Sequence, residues 1–321
     1  MKKLFITIFA LSMILAASVV FGQRLGRNRV PGHLQTKQVK VGDLKRSFFL
    51  FVPKRLEQNK KVPLLFVFHG GGGNPLAMDQ RLGFTELARK ERFVVVYPEG
   101  IGRNWNDGRE TDTTQAHREK VDDIGFVSAI IDRVSEAYRI DQKRIFATGP
   151  SNGGIFSHYV GANLSERFAA IAPVIGGIAD PFYKRFNPKD PVSVFVIQGT
   201  EDRLVPYDGT NGIGFGRRRN RGKIISTDRA IALWTKHNRV DARPIKSNLP
   251  DKDSNDGCTV ETFLWKNGKN NTAVKLFKMN GGGHTWAGGQ QYLPRRIVGN
   301  VCRDFDATDE IWSFFKAHPK P

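Results

Sequence analysis

The sequence predicts an α/β fold, a mostly parallel sheet with helices on both faces. Continuous apolar runs at 63–68, 93–97 and 192–198 have the pattern of strands buried on both sides. Between them lie stretches with helical spacing. The clearest has Asp122-Asp123 ahead of Ile124, Val127, Ile130, Ile131, Val134 and Tyr138. A third observation ties the two patterns together. The apolar run that begins at Ile145 ends in Gly149-Pro150-Ser151-Asn152-Gly153, and a helix-compatible stretch, 155–164, follows.

Taken in order, residues 1–22 read as a secretory signal peptide. Lys2 and Lys3 precede an uncharged apolar stretch, and Val20 and Gly22 suit the −3 and −1 positions of a cut before Gln23. Residues 23–35 are polar, basic and punctuated by Gly and Pro, as in a loose arm. Residues 36–53 hold two strands, the second rich in β-formers (Ser47-Phe48-Phe49-Leu50-Phe51-Val52). The strand at 63–68 runs into His69-Gly70-Gly71-Gly72-Gly73, and residues 75–91 are helical. Strands are expected at 168–174, 192–198, 259–265 and 274–279, with helices at 227–237 and 308–318. No repeat or Pro/Ser-rich linker interrupts 36–321, so one catalytic domain is expected there.

The chain has 321 residues, 40% of them apolar, and a formal net charge of +19. So basic a surface suits contact with polyanions such as acidic polysaccharide, or simply solubility in salt. The chain has no recognisable nucleic-acid-binding motif, so no nucleic-acid partner is expected. Nor is a stable membrane anchor expected once the signal peptide is removed. Export permits a disulfide between the two cysteines, Cys258 and Cys302, and two free buried thiols are the alternative.

The Gly-x-Ser-x-Gly turn carries the chemistry. A strand-to-helix turn holds the serine in a strained conformation, and glycines at 149 and 153 remove Cβ atoms that would collide there. The helix beyond it directs free N–H groups at a developing oxyanion. Ser151 is therefore the candidate nucleophile. It needs a base, and the base needs an orienting acid. Among the histidines well beyond Ser151, His237 lies within a helical stretch and His318 near the tail. His284 lies in the loop Gly281-Gly282-Gly283-His284-Thr285-Trp286 and is the candidate base. The acid belongs in the loop after the 192–198 strand, where Glu201 and Asp202 stand side by side, with Asp180 and Asp208 as rivals. The oxyanion donors would be the N–H of Asn152 and one from Gly70 or Gly71. Trp105 and Trp286 are candidates for lining an acyl or aromatic pocket, with core packing as the competing role. The run Arg217 to Lys223 is a candidate anion-binding segment or a solvated loop. Asp122 and Asp123 fit a helix start better than a catalytic role.

Five motifs stand in one order: His69-Gly70-Gly71-Gly72, Asp122-Asp123-Ile124-Gly125-Phe126, Gly149-Pro150-Ser151-Asn152-Gly153-Gly154, Gln198-Gly199-Thr200-Glu201-Asp202 and Gly281-Gly282-Gly283-His284-Thr285-Trp286. Over residues 36–318 the chain resembles the polyhydroxybutyrate depolymerase-like esterases, secreted α/β-hydrolases that include feruloyl and acetylxylan esterases. The resemblance implies an α/β-hydrolase fold and a Ser151, Asp202, His284 triad, and selects Asp202 over its neighbour Glu201. It implies no metal and no cofactor. Pro150 departs from the bulkier residue usual before the serine, and Ala287 from the usual proline after Trp286.

The expected activity is that of a secreted serine carboxylesterase, extracellular or periplasmic, cleaving feruloyl or acetyl esters of plant or algal polysaccharide. Alternatives are a polyhydroxyalkanoate depolymerase, a serine peptidase of the same fold, and an inactive polyanion-binding protein. With no second binding module after the last helix, short or aromatic acyl esters of the feruloyl or acetyl-sugar kind are expected to be cleaved better than solid polyhydroxybutyrate.

Overall fold

The structure is a computed structural model, and it describes residues 30–54, 56, 60–210 and 221–321. The expected signal peptide, most of the expected arm, and Arg217 to Asn220 lie outside the described residues.

The described residues form one ten-stranded sheet in the order β1-β2-β4-β3-β5-β6-β7-β10-β9-β8. Strands β1 (Gln35–Val41) and β2 (Leu44–Phe51) make an antiparallel hairpin at one edge, and β2 pairs antiparallel with β4. The middle is parallel throughout: β4 (Val94–Pro98), β3 (Val62–Val67), β5 (Ile140–Pro150), β6 (Ala170–Val174), β7 (Ser193–Gly199) and β10 (Val274–Asn280). β9 (Thr259–Trp265) and β8 (Ile245–Asn248) close the far edge antiparallel. Every residue of β3, β4, β6 and β7 is buried, as the continuous apolar runs required.

Helices cover both faces. On one side α1 (Pro75–Leu82), α2 (Phe84–Glu91) and α9 (Ala307–Ala317) pack Leu76, Phe84, Ala88, Trp312 and Phe315 on one hydrophobic cluster. On the other, α4 (Asp123–Ala137), α5 (Asn152–Asn163) and α7 (Thr227–Asn238) contribute Phe126, Ile130, Phe156, Val160 and Trp234 to a second. Short α3 (Gln115–Arg118), α6 (Asp180–Tyr183) and α8 (Arg295–Val298) lie within the connections. The α/β architecture expected from the alternating pattern is therefore present.

Two local features differ from expectation. Residues 30–35 do not form a loose arm. Leu34 is buried, Val30 packs on the same cluster, His33 Nε2 lies 2.9 Å from Asp79 Oδ2, and β1 already begins at Gln35. Strand β8 was not expected at all. Its Ile-Lys-Ser-Asn sequence is exposed along its whole length, so it has no apolar alternation to announce it, and cross-strand pairing with β9 defines it.

The parallel centre has one functional consequence. β3, β5, β7 and β10 all run the same way, so the loops leaving their carboxyl ends gather on one edge of the sheet. Open α/β sheets bind ligands at that edge.

Candidate active site

Ser151 sits between the end of β5 and the start of α5 with φ 59° and ψ −123°. For a residue with a Cβ such a conformation costs about 1–3 kcal/mol and persists only where the surroundings impose it. They do so here. Ser151 N–H donates to Val174 O (3.0 Å), and Ile155 N–H donates to Ser151 O (2.9 Å). The glycines are required because the elbow presses on the neighbouring strand. A Cβ at Gly149 would lie 2.3 Å from Phe68 O, and one at Gly153 would lie 2.4 Å from it. The obstacle is thus the carbonyl of Phe68, the residue just past β3, rather than atoms across the turn itself. Pro150 fits without disturbance as the last residue of β5, paired in register with Val174.

The loops after β7 and β10 carry the candidate acid, Asp202, and the candidate base, His284. His284 Nδ1 lies 2.7 Å from Asp202 Oδ2, with both side chains almost wholly buried. The other oxygen, Oδ1, accepts the N–H groups of Leu204 and Val205, each at 2.8 Å, and Gln198 Nε2 donates to Oδ2 (3.3 Å). The carboxylate is therefore oriented from several sides. Glu201, its neighbour, is exposed. The histidine loop is equally fixed: His284 N–H donates to Val298 O (2.5 Å), and the Tyr292 hydroxyl donates to His284 O (3.0 Å). With Nδ1 facing the carboxylate, Nε2 is the nitrogen left for a proton from substrate or nucleophile. Ser151 Oγ makes no hydrogen bond to His284 in this structure. Such bonds are often long before substrate binds.

The rival groups are occupied elsewhere. His237 Nε2 bonds Asp190 O and His318 Nδ1 bonds Phe314 O. His158, within α5, is buried, and Trp234 Nε1 donates to its Nδ1 (3.1 Å). Asp180 pairs with Lys184 and, with Asp208, Lys223 and Arg229, lines a polar cavity of about 340 Å³.

The glycine run after β3 lies against the elbow. A Cβ built on Gly70 would be 3.4 Å from Ser151 Cβ, and one on Gly71 would be 3.5 Å from Asn152 Cβ. Gly72 and Gly73 commit their N–H groups to Arg103 O and Gly70 O, which leaves those of Gly70 and Gly71 without a protein acceptor among the described residues. Asn152 is the first residue of α5, so its N–H has no carbonyl to bond within the helix. The three expected oxyanion donors therefore stand together. His69, at the head of the run, is wholly buried. Its Nε2 accepts Gly100 N–H (3.0 Å), so Nδ1 carries the proton and donates to Gly70 O (2.9 Å). Burial, helped by the charge of Arg103, pushes this imidazole down to about 4 against the bond to Gly70.

The tryptophan assignments need correction. Trp105 has no exposed surface. It stacks on Phe156 with centroids 4.9 Å apart, and its indole N–H donates to His69 O (2.8 Å). Trp286 is also buried, edge-on to Phe84, with Nε1 donating to Thr308 Oγ1 (3.2 Å). Both rings face the core, so neither offers a face to an acyl group. Cys258 and Cys302 are both buried, with Cys258 Sγ 3.9 Å from Thr259 O and Cys302 Sγ 3.9 Å from Asp304 Oδ2. The expected disulfide is not formed in this structure, where the two stand as free thiols. Of the basic run, Arg221 gives its carbonyl to Arg109 Nη1 (2.9 Å) and Lys223 lines the polar cavity.

Residues that sequence reasoning missed cluster beside Asn152. Asp107, Arg109 and His117 are buried there as a charged group, and Asp107 accepts a hydrogen bond from the Asn152 side chain. A polar cluster in a loop of unknown path gives no local signal.

No family model matches the chain. Sequence relatives do. The chain is 27% identical over 259 residues to “Putative esterase NocK” of Nocardia uniformis subsp. tsuyamanensis, covering 78% of this chain and 73% of that protein. It is 28% identical to the bifunctional acetylxylan esterase/xylanase XynS20E of Neocallimastix patriciarum, covering 75% of this chain, and 27% identical to feruloyl esterase B of Piromyces equi, covering 76%. These matches take in only 31% and 44% of those two longer proteins. The chain is a relative of carboxylic ester hydrolases. The acetyl xylan esterase of Aspergillus awamori superposes on 88% of this chain and 99% of its own with a TM-score of 0.59 at 14% identity, which shows the α/β-hydrolase fold. The resemblance read from the five motifs is borne out by these names.

Proposed function

We propose that the protein is a secreted serine carboxylesterase that works through Ser151, His284 and Asp202. The observation that carries the reading is the buried Asp202–His284 pair on the sheet edge where the strained Ser151 elbow also emerges. His284 Nε2 takes the proton from Ser151 Oγ as the oxygen attacks an ester carbonyl, and Asp202 holds the tautomer and stabilises the imidazolium. The N–H of Asn152 and one from Gly70 or Gly71 receive the oxyanion. The tetrahedral intermediate collapses with loss of the alcohol, which takes its proton from His284. Water, activated by the same imidazole, then releases the acid.

The substrates are feruloyl or acetyl esters carried on plant or algal polysaccharide. The names of the relatives support this class, and the net charge of +19 suits an acidic polymer. Secretion rests on the apolar amino-terminal stretch. Among the described residues no helix is long and apolar enough to cross a membrane. Initial rates on methyl ferulate, acetylated xylan and a polyhydroxybutyrate suspension test the substrate class. Release of ferulate or acetate supports it. Clearing of the suspension with neither product replaces it with a depolymerase.

A further inference from the structure

Both halves of the oxyanion hole are tied to one short segment, residues 104–107. Trp105 Nε1 donates to His69 O (2.8 Å) at the head of the Gly70–Gly71 arm. Trp105 N–H donates to Asn152 Oδ1 (3.0 Å), and Asn152 Nδ2 donates to Asp107 Oδ2 (2.5 Å). The side chain of Asn152 is thus gripped at both ends, one residue after the nucleophile.

The grip is itself held. Asp107 is 1% exposed. Arg109 Nε reaches both of its oxygens at 2.9 Å, and Nη2 lies 2.8 Å from Oδ2. His117 Nε2 lies 3.0 Å from Oδ1, and His117 Nδ1 meets the Thr114 hydroxyl at 2.6 Å. Burial pushes the Asp107 carboxyl up, but the Arg109 charge and the bonds from His117 and Arg109 outweigh it and hold the group below the ordinary carboxylate range. Asp107 is therefore an anion at neutral pH, and the bond from Asn152 is charge-assisted and short. None of these groups is needed to activate Ser151 or to orient His284. Their common point of action is the Asn152 side chain.

We propose that Asp107, held by Arg109 and His117, is a positioning residue of the oxyanion hole: it fixes the Asn152 side chain and thereby the aim of the Asn152 N–H. Trp105 ties the glycine arm to the same segment, so the two donors keep a fixed spacing. An oxyanion hole acts only if its donors point at where charge develops, before charge develops. The inference rests on the serine esterase reading above.

The test counts active sites first. A fluorophosphonate probe titrates Ser151, and kcat and KM for p-nitrophenyl acetate are then expressed per titrated site, alongside the inhibition constant of a trifluoromethyl ketone, which forms a tetrahedral oxyanion. Asn152→Ala keeps the backbone donor and leaves Asp107 paired with Arg109 and His117. Asp107→Asn removes the charge. Each is expected to lower kcat per site about 10- to 100-fold, below the loss expected for a donor removed outright. KM should stay within about threefold, and inhibitor affinity should fall in parallel with kcat. The double variant should be no slower than the slower single, because both changes break one interaction. An Asn152→Ala enzyme with kcat per site within about twofold of the parent, or losses that multiply in the double variant, overturns the proposal. If Asp107→Asn does not fold, Asn152→Ala decides by the same criterion. A parent protein that takes no label on Ser151 fails the underlying reading instead, and the positioning role falls with it.

Discussion

His284 Nδ1 and Asp202 Oδ2 lie 2.7 Å apart although 82 residues separate them in the chain. The contact exists because β7 and β10 are parallel neighbours, in register from Val194–Val274 to Gly199–Met279, so their loops leave the sheet side by side. Asp202→Asn should leave the fold intact, since the side-chain oxygen can still accept Leu204 and Val205 N–H. It would present an amide to Nδ1 and favour the wrong tautomer, lowering kcat by about 10³–10⁴-fold. A loss smaller than tenfold, measured per active site on protein with unchanged circular dichroism, would remove Asp202 from the catalytic group.

Asp123, a helix-start residue by sequence, is also half of a buried ion pair with Arg46 (2.7 Å) and accepts Asn106 N–H (2.8 Å). Arg46 further lies 4.0 Å above the Phe126 ring. Arg46→Ala leaves Asp123 buried without its cation, and losses of this kind run to about 3–5 kcal/mol. Urea unfolding should report a drop of that size. A change under about 1 kcal/mol would mean that Asp123 is rehydrated or protonated at little cost.

Acid should destabilise the protein through two histidines. Burial pushes His69 down to about 4 and His158 down to about 3. Each is neutral when folded, while the unfolded imidazole takes a proton below about 6.5. The unfolded state then binds more protons, so stability is full above pH 6.5 and falls as the pH drops toward 4. Between pH 7 and 5 the expected loss is roughly 2 kcal/mol per histidine. His158→Phe should roughly halve the pH dependence of the urea midpoint over that interval. An unaltered dependence would remove His158 as a source of it.

Cys258 and Cys302 are buried free thiols, and the influence of Cys302, then burial, pushes the Cys258 thiol up. In an oxidising compartment the pair should close into a disulfide around the loop that holds His284, adding about 3–4 kcal/mol by loop entropy. Mass spectrometry after denaturing alkylation decides. Two alkylated thiols in protein exported to an oxidising compartment and never reduced would exclude the bond.

The candidate site residues that the structure brings to one sheet edge are those with a local signature in the sequence. Ser151, His284, Asp202 and the glycine arm each follow a buried strand, and the parallel sheet brings strand ends together whatever lies between. The elbow's glycines were legible as a need for close approach, but their partner, Phe68 O just past the end of β3, was not. Trp105 shows the limit most clearly. It was a candidate for a pocket wall or for core packing, and its ring is core, with its N–H groups bonded to Asn152 Oδ1 and His69 O. Asp107 and Asn152 meet across 45 positions through a loop with no periodicity, so nothing in the local pattern could pair them. The exposed β8 was invisible for the same reason, since neighbour pairing rather than composition makes it a strand.

The central claim is that Ser151 is the nucleophile. Intact-mass and peptide mapping after treatment with a fluorophosphonate probe test it most directly. One adduct per chain, located on Ser151 and accompanied by complete loss of esterase activity, is the predicted result, with Ser151→Ala unlabelled, folded and slower by several orders of magnitude. Ester hydrolysis that persists above about a tenth of the parent rate in Ser151→Ala, or an adduct on a different residue, would contradict it.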